Sequence, residues 1–196
     1  MRKIKKELII SSARELFEKY GIKKTSMDEI ASNAGITKKT IYAYFNNKAE
    51  IINYFIKEEL NNMKKIVEEY SNKEGDFFEN VHQGLYSLLT YKNESFFINL
   101  INKESDKIDV KEIKENLSMV DGEIKRFIKE ILEKAMKLGY IEVQNIEVTT
   151  FLIYKMYIAL MFEWDEDSKK LNDKEIADNV LQILRYGLKS RKEDLI

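Results

Sequence analysis

No proline occurs in this 196-residue chain, and only seven glycines do. Sandwiches and barrels need a tight turn about every 8–12 residues, and glycine and proline supply most of them. A chain so short of turn formers is expected to be all-α, with about nine helices. Apolar residues make up 44% and charged residues 34%, the balance of a globular chain with enough material for a proper core. The absence of cysteine removes disulfides, thiolate catalysis and cysteine metal sites. The single histidine, His82, removes histidine-rich metal sites. No metal and no cofactor are therefore expected. Lys3, Lys5, Lys6 and Glu7 interrupt the first apolar residues, so no secretory leader is expected and the protein is expected to be cytoplasmic.

Charge is divided unevenly. Residues 1–48 carry eleven Lys/Arg against five Asp/Glu, a net +6, while 49–196 carry 22 against 29, a net −7. A basic head on an acidic body suggests that the head meets a polyanion; a chance excess in a lysine-rich chain is the other reading.

Helical spacing of Ile9, Ala13, Leu16, Phe17 and Tyr20 predicts a first helix over about 4–20, stopped by Gly21. Ser26 and Glu29 form a capping box that opens a short second helix ending at Ala34-Gly35. After a buried spacer, Ile36, Thr37 caps a third helix over about 38–45. Asn47-Lys48-Ala49-Glu50 then opens a long fourth helix to about 70. Two short helices joined through Gly35 make a helix-turn-helix. The loop 71–76, Ser-Asn-Lys-Glu-Gly-Asp, is expected to be a hinge between head and body. The body is expected to hold helices near 76–91, 94–105, 109–138, 146–165 and 173–191. Asp109 with Glu112 and Asn172 with Glu175 are box-like starts, and Asp121-Gly122 is a possible break in the longest helix.

Fourteen of the 19 residues over 146–164 are apolar, but Lys155 lies mid-helix and Glu147 and Glu163 bracket it. Uncharged runs of seven residues are too short to span a bilayer. A helix apolar nearly all round must bury more than one face. Ile176, Val180, Ile183, Leu184 and Leu188 give the last helix a stripe, and Gly187 admits a close neighbour. Two such helices from each of two chains would close a four-helix dimer interface, expected to use Leu160, Trp164, Val180, Leu181, Leu184, Gly187 and Leu188. An ordinary monomer core is the alternative.

Lys38, Lys39 and Thr40 fall in the first turn of the third helix. Lysine can donate to guanine O6 and N7, and threonine can bond base edges or touch a thymine methyl. Two cations there oppose the helix macrodipole, a local cost that points to a phosphate or base partner over a solvated face. Thr25 and Thr37 sit at helix N-termini, where hydroxyl and free amides together suit a phosphate. Tyr42 and Tyr44 project from different sides of their helix, with partial packing an alternative for Tyr44. Lys48 repeats the dipole anomaly at the next helix start. Lys3, Lys5 and Lys6 could form a flexible basic arm or a solvated terminus.

Gly21, the run from Thr25 to Ala31, the run from Ala34 to Phe45, and Asn47-Lys48-Ala49-Glu50 together resemble the DNA-binding head of the tetracycline-repressor (TetR) family. The resemblance covers residues 9 to about 55, a quarter of the chain. Lys39 departs from it, many relatives having Gly or Ala there, as does Asn46, where a proline or small residue is common. The resemblance implies a DNA-facing set of Thr25, Ser26, Thr37, Lys38, Lys39, Thr40, Tyr42, Tyr44 and Lys48, with Tyr42 and Lys48 on phosphates. It also implies a DNA-binding domain at 1–48, running into a linking helix over 48–70, and a ligand-binding and dimerisation domain at 49–196. The partners it implies are a palindromic double-stranded DNA operator, a second copy of the chain and a small hydrophobic or amphipathic effector that releases a repressor from DNA. The bulky candidates for the effector's surroundings are Phe77, Phe78, His82, Tyr86, Phe96, Phe97, Met119, Tyr154, Tyr157 and Met161, each of which plain core packing would also explain.

Two other functions fit parts of this reading. A dimeric DNA-binding protein of the same fold could answer to protein partners with no small-molecule inducer. A helical enzyme or lipid carrier is the reading from another class. An enzyme needs a nucleophile–base pair, a metal cluster or a phosphate loop, none of which the sequence offers, and a carrier has no use for the basic head. No enzymatic activity and no membrane partner are expected.

Overall fold

The computed structural model describes the backbone of residues 2–104, 110–163 and 171–188, and the side chains of 3–104, 121–161 and 171–186. Every regular element among the described residues is helical: α1 (Arg2–Tyr20), α2 (Met27–Asn33), α3 (Lys38–Tyr42), α4 (Lys48–Ser71), α5 (Phe77–Glu94), α6 (Phe96–Glu104), α7 (Val110–Lys137), α8 (Ile146–Ile158) and α9 (Asp173–Leu188). The all-α expectation holds. No helix among the described residues is long and apolar enough to cross a membrane. The chain divides into two compact units, Met1–Leu60 with Ser95–Ser118, and Asn61–Glu94 with Met119–Ile196.

The first unit is built around an aromatic hub. Ile9, Ile10, Ala13 and Phe17 from α1, Ile30 and Ala31 from α2, Ile41 from α3 and Ile51, Ile52 and Phe55 from α4 form one buried cluster, which Phe97 of α6 joins. Phe55 is fully buried, stacked on Phe97 at 5.3 Å between centroids and edge-on to Phe17 and Phe96 at 6.1 and 5.7 Å. Rings at these spacings add about 0.5–1.5 kcal/mol per pair to the area they bury. The guanidinium of Arg14 lies 4.4 Å above the Phe96 ring and pairs with Glu58 at 2.9 Å. Ser12 sends its hydroxyl proton to the carbonyl of Ile30 at 3.0 Å, tying α1 to α2 where water is excluded.

Gly21 ends α1 with a φ of +84°, and its amide donates to the Phe17 carbonyl. That conformation costs an L-residue with a side chain, and here a Cβ would also fall 1.9 Å from the carboxylate of Glu104. Gly35 has a φ of +65° and makes the turn between α2 and α3, where the amides of Gly35 and Ile36 cap the carbonyls of Ser32 and Ala31.

In the second unit α5 and α9 pack through Leu89, Ile176 and Ala177, with Leu85, Leu160 and Val180 against them. Leu132, Ala135 and Ile141 form another cluster, against which Phe77, Phe78, Ile128, Ile146 and Ile153 pack. Asn145 caps α8 by accepting from the amides of Glu147 and Val148. Asn172 and Glu175 satisfy each other's backbone at the start of α9, the expected reciprocal box.

Five expectations change. The helix through Asp121-Gly122 is unbroken, because Gly122 faces open space and tertiary packing along α7 outweighs its low propensity. Helix α3 ends at Tyr42, and single-turn bonds from Ala43 and Tyr44 to Thr40 and Ile41 carry the chain to Phe45. Helix α8 gives way to a π-helical segment, Ala159–Glu163, in which the carbonyl of Leu160 accepts from the Lys92 ammonium at 2.7 Å. The loop near 71–76 lies inside the second unit, so it is no hinge between the units; the chain passes between them within α4, at Glu94–Ser95 and again within α7. Lys3, Lys5 and Lys6 belong to α1 and form no loose arm, and the Lys6 ammonium sits 4.8 Å from the Tyr54 ring. The box-like start at Asp109 and Glu112 lies outside the described residues.

Candidate nucleic-acid interface

Local chemistry fixes the two short helices. Ser26 accepts from the Glu29 amide at 3.2 Å, and the Glu29 carboxylate accepts from both the amide and the hydroxyl of Ser26 at 2.7 Å. The Ser26 hydroxyl foremost, then its amide, hold the Glu29 carboxyl below its ordinary range. Thr37 accepts from the Thr40 amide at 3.2 Å, and the two hydroxyls lie 2.9 Å apart. Asn47 accepts from the Glu50 amide, while the Glu50 carboxylate takes the amide and the side-chain NH₂ of Asn46.

The exposed polar surface of α3 is therefore Lys38, Lys39 and Tyr42, the last 42% exposed, with Thr37 and Thr40 beside them. Lys38 reaches back to Asp28 of α2, Nζ to Oδ2 2.8 Å. The bond to Asp28 and its negative charge hold the Lys38 ammonium above its ordinary pKa. Ser26, Thr37, Lys38, Lys39, Thr40 and Tyr42 are thus on one unit, and the core beneath α2 and α3 locks them in place. Tyr44 is half-buried against that core, the packed alternative weighed for it.

Two sequence-derived candidates stand elsewhere. Thr25 is only 3% exposed, and its hydroxyl proton goes to the carbonyls of Gly21 at 2.8 Å and Leu16 at 3.3 Å, so its side chain holds the α1–α2 loop and is not presented to solvent. Lys48 is half-buried and donates to the carbonyls of Ile22 at 2.6 Å and Thr25 at 2.7 Å. Glu104 takes the amide of Ile22 at 3.0 Å from the end of α6. One loop is thus held by an ammonium on its carbonyls and by a carboxylate on its amide. No sequence pattern signals that convergence, because the bonded partners are 23 to 82 residues apart.

The residues proposed to surround an effector are dispersed. Phe96 and Phe97 belong to the core of the first unit, a correction to their place among the effector's surroundings that follows from α6 packing on Phe55. Phe77 and Phe78 pack against Leu132, Ala135 and Ile141, Phe77 stacking on Tyr140 at 5.2 Å. Tyr86 is exposed. His82 has its Nε2 2.7 Å from a carboxylate oxygen of Asp178, close enough for an ion pair when protonated though not aligned as a hydrogen bond. Tyr154 and Met161 are buried, and the Tyr157 hydroxyl donates to the sulfur of Met63 at 3.0 Å. Burial, then its hydrogen bond to Asp121, raise the Tyr154 phenol well above its ordinary range. Asp121, Met63 and Lys125, whose ammonium lies 4.6 Å from the Tyr154 ring, are neighbours that sequence patterning did not mark as site candidates. The side chain of Met119 lies outside the described residues.

Of the expected dimer residues, Leu160 and Val180 pack inward on Leu89, Ile176 and Ala177, and Leu181 and Leu184 are half-buried. Trp164 lies outside the described residues, as do the surroundings of Gly187 and the side chain of Leu188. The apolar side chains that face solvent are others: Val148, Phe151 and Leu152 on α8, and Ile183 and Tyr186 on α9, the last two 63% and 77% exposed.

A capped helix-turn-helix with a cationic second helix, on an otherwise helical chain, defines a DNA-binding transcriptional regulator. The comparisons agree: residues 9–55 match the model of the bacterial regulatory proteins of the tetR family. The chain is 32% identical to YhgD of Bacillus subtilis (strain 168), described as an uncharacterized HTH-type transcriptional regulator, over 91% of this chain and 93% of that protein. It belongs to the tetR family of regulatory proteins. Its fold is shared by SmeT of Stenotrophomonas maltophilia in complex with triclosan, with a TM-score of 0.75 at 14% identity over 96% of this chain and 93% of that one. It is shared too by the regulator FadR of Bacillus subtilis in complex with stearoyl-CoA, with a TM-score of 0.71 at 18% identity over 91% and 96%.

Proposed function

We propose that this protein is a homodimeric transcriptional repressor that binds a palindromic operator through residues 1–48 and answers to a small hydrophobic or amphipathic effector held within 49–196. The observation that carries the reading is the first turn of α3, where Thr37 caps a helix whose exposed polar side chains include two adjacent lysines. Each α3 enters a major groove, with Lys38, Lys39 and Thr40 at base edges and Ser26, Thr37 and Tyr42 at phosphates. Lys48 acts by holding the α1–α2 loop in register beneath them. The apolar residues exposed on α8 and α9 pair with their counterparts in a second copy, which places the two α3 helices about 34 Å, one DNA turn, apart.

Triclosan and stearoyl-CoA, held by SmeT and FadR, indicate the effector's character: a long or flat apolar body with a polar end. Aromatic residues of the second unit supply contact area, and Tyr154, Tyr157 and Asp121 orient the polar end. Operator and effector must weaken each other by the same factor, with a coupling of about 1–3 kcal/mol for a useful switch. The test pairs a thermal-shift screen of acyl-CoAs and flat chlorinated phenols with DNA titration in the presence of each hit. Binders that raise the melting temperature and release DNA support the reading. Binders that leave DNA affinity unchanged, or a protein that no compound stabilises, favour control by protein partners.

A further inference from the structure

We propose that Asp28 is a specificity-determining residue of the DNA interface: it aims the Lys38 ammonium at base edges and cancels that ammonium's attraction for the phosphate backbone. This rests on the reading of α3 as the helix that enters the groove.

Asp28 stands in the first turn of α2 and meets Lys38 in the first turn of α3 at 2.8 Å, both side chains being more than half exposed. The other carboxylate of that turn, Glu29, is committed to Ser26, so Asp28 is the one turned toward α3. The neighbouring Lys39 has no carboxylate within ion-pair distance among the described residues. Two adjacent lysines on one helix therefore differ, one carrying a counter-charge and one bare.

The difference has chemical consequences. An ammonium has three protons to donate. One goes to Asp28, leaving two for the O6 and N7 acceptors of a guanine. A lysine side chain loses rotamer freedom when fixed, and the ion pair fixes part of that stem before DNA arrives. Attraction to the phosphate backbone comes from net positive charge that displaces counterions. A lysine beside a carboxylate brings little of it. In any register that offers no base acceptor, the carboxylate is left near phosphates and repels them, so wrong sequences are penalised more than right ones. The bland role for Asp28, a favourable charge at the start of α2, predicts none of this.

The experiment uses the full chain to enrich sequences from a random duplex library, then titrates the enriched duplex and a scrambled one by fluorescence anisotropy over a range of KCl. Asp28→Asn should bind the scrambled duplex about three- to tenfold more tightly, with its salt slope steeper by about one per protomer. Its preference for the enriched duplex should shrink about tenfold. Asp28→Glu, which keeps the charge, should behave like the wild type. In a Lys38→Ala background Asp28→Asn should leave the preference unchanged, because the ammonium it aims is gone, and Lys39→Ala should flatten the slope whichever residue stands at 28. The proposal is overturned if Asp28→Asn retains its helicity and leaves both readouts unchanged, or lowers the preference equally without Lys38. It is overturned in favour of a folding role if Asp28→Asn and Asp28→Glu both lose helicity and binding. A wild type that enriches no sequence, or a Lys38→Ala variant with undiminished preference, instead removes the groove-reading role of α3 and takes the proposal with it.

Discussion

The two units solve the same packing problem differently. In the first, the polar ends of α2 and α3 are closed by caps within three residues, and the loop before α2 is tied by Lys48, Thr25 and Glu104. Its apolar residues converge on Phe55. In the second, the inner faces of α5 and α9 close on each other, while Phe151, Leu152, Ile183 and Tyr186 stay in solvent. The first gathers most of its apolar residues on one hub, leaving Ile4 and Leu8 of α1 exposed; the second carries, on α8 and α9, apolar surface of the kind that marks an association site. On the proposed reading, the rigid unit is the one that meets DNA and the exposed apolar faces are those that meet a second copy.

The contrast can be broken most forcefully at its hub. Phe55→Ala should cost about 3–5 kcal/mol in urea unfolding, and amide exchange in α1 and α6 should accelerate far more than in α5 and α9. Equal acceleration everywhere would mean that the two units are one cooperative body. The next effect should come from the other unit. Phe151→Asp or Ile183→Asp should weaken self-association by about 2 kcal/mol, roughly thirtyfold in sedimentation experiments, while each folded chain keeps its helicity. Val180→Asp, which puts a charge on the inner α5–α9 contact, should lower the stability of the chain itself instead. A reversal of those outcomes would place the interface on the face that carries Leu160 and Val180.

Lys48→Ala should cost about 1.5 kcal/mol, the lower end for hydrogen bonds from a charged group, and expose the amides of 22–26 to faster exchange. It should weaken binding to all DNA sequences alike. The smallest effect should be Ser26→Ala, about 1 kcal/mol for a lost N-cap, seen as a lower denaturant midpoint. Its pH signature is separate. Glu29 is held below its ordinary pKa, so its contribution is present at neutral pH and is lost as pH falls through the depressed folded value. Wild-type stability should therefore decline on acidification from about pH 5, and Ser26→Ala should flatten that part of the decline.

What was legible in the sequence is what depends on near neighbours. The caps at Ser26, Thr37, Asn47 and Asn172 each satisfy a backbone group three or so residues away, so residue type and offset suffice to place them. The starts of α2, α3, α4 and α9, the turn at Gly35 and the cationic first turn of α3 follow from the same short-range bookkeeping. Contacts between distant residues left no such trace. Thr25 and Lys48 carry the right chemistry for a phosphate, yet tertiary packing directs them to the carbonyls of the α1–α2 loop. Phe96 and Phe97 look like any aromatic pair until α6 docks on Phe55. In α8 apolar residues occur on nearly every side, and in α9 a single stripe holds both Val180 and Ile183, so periodicity could not say which of them faces inward. Only the docking of α9 on α5 decided that Val180 is inside and Ile183 and Tyr186 outside, because burial depends on which neighbour arrives and not on the helix's own pattern.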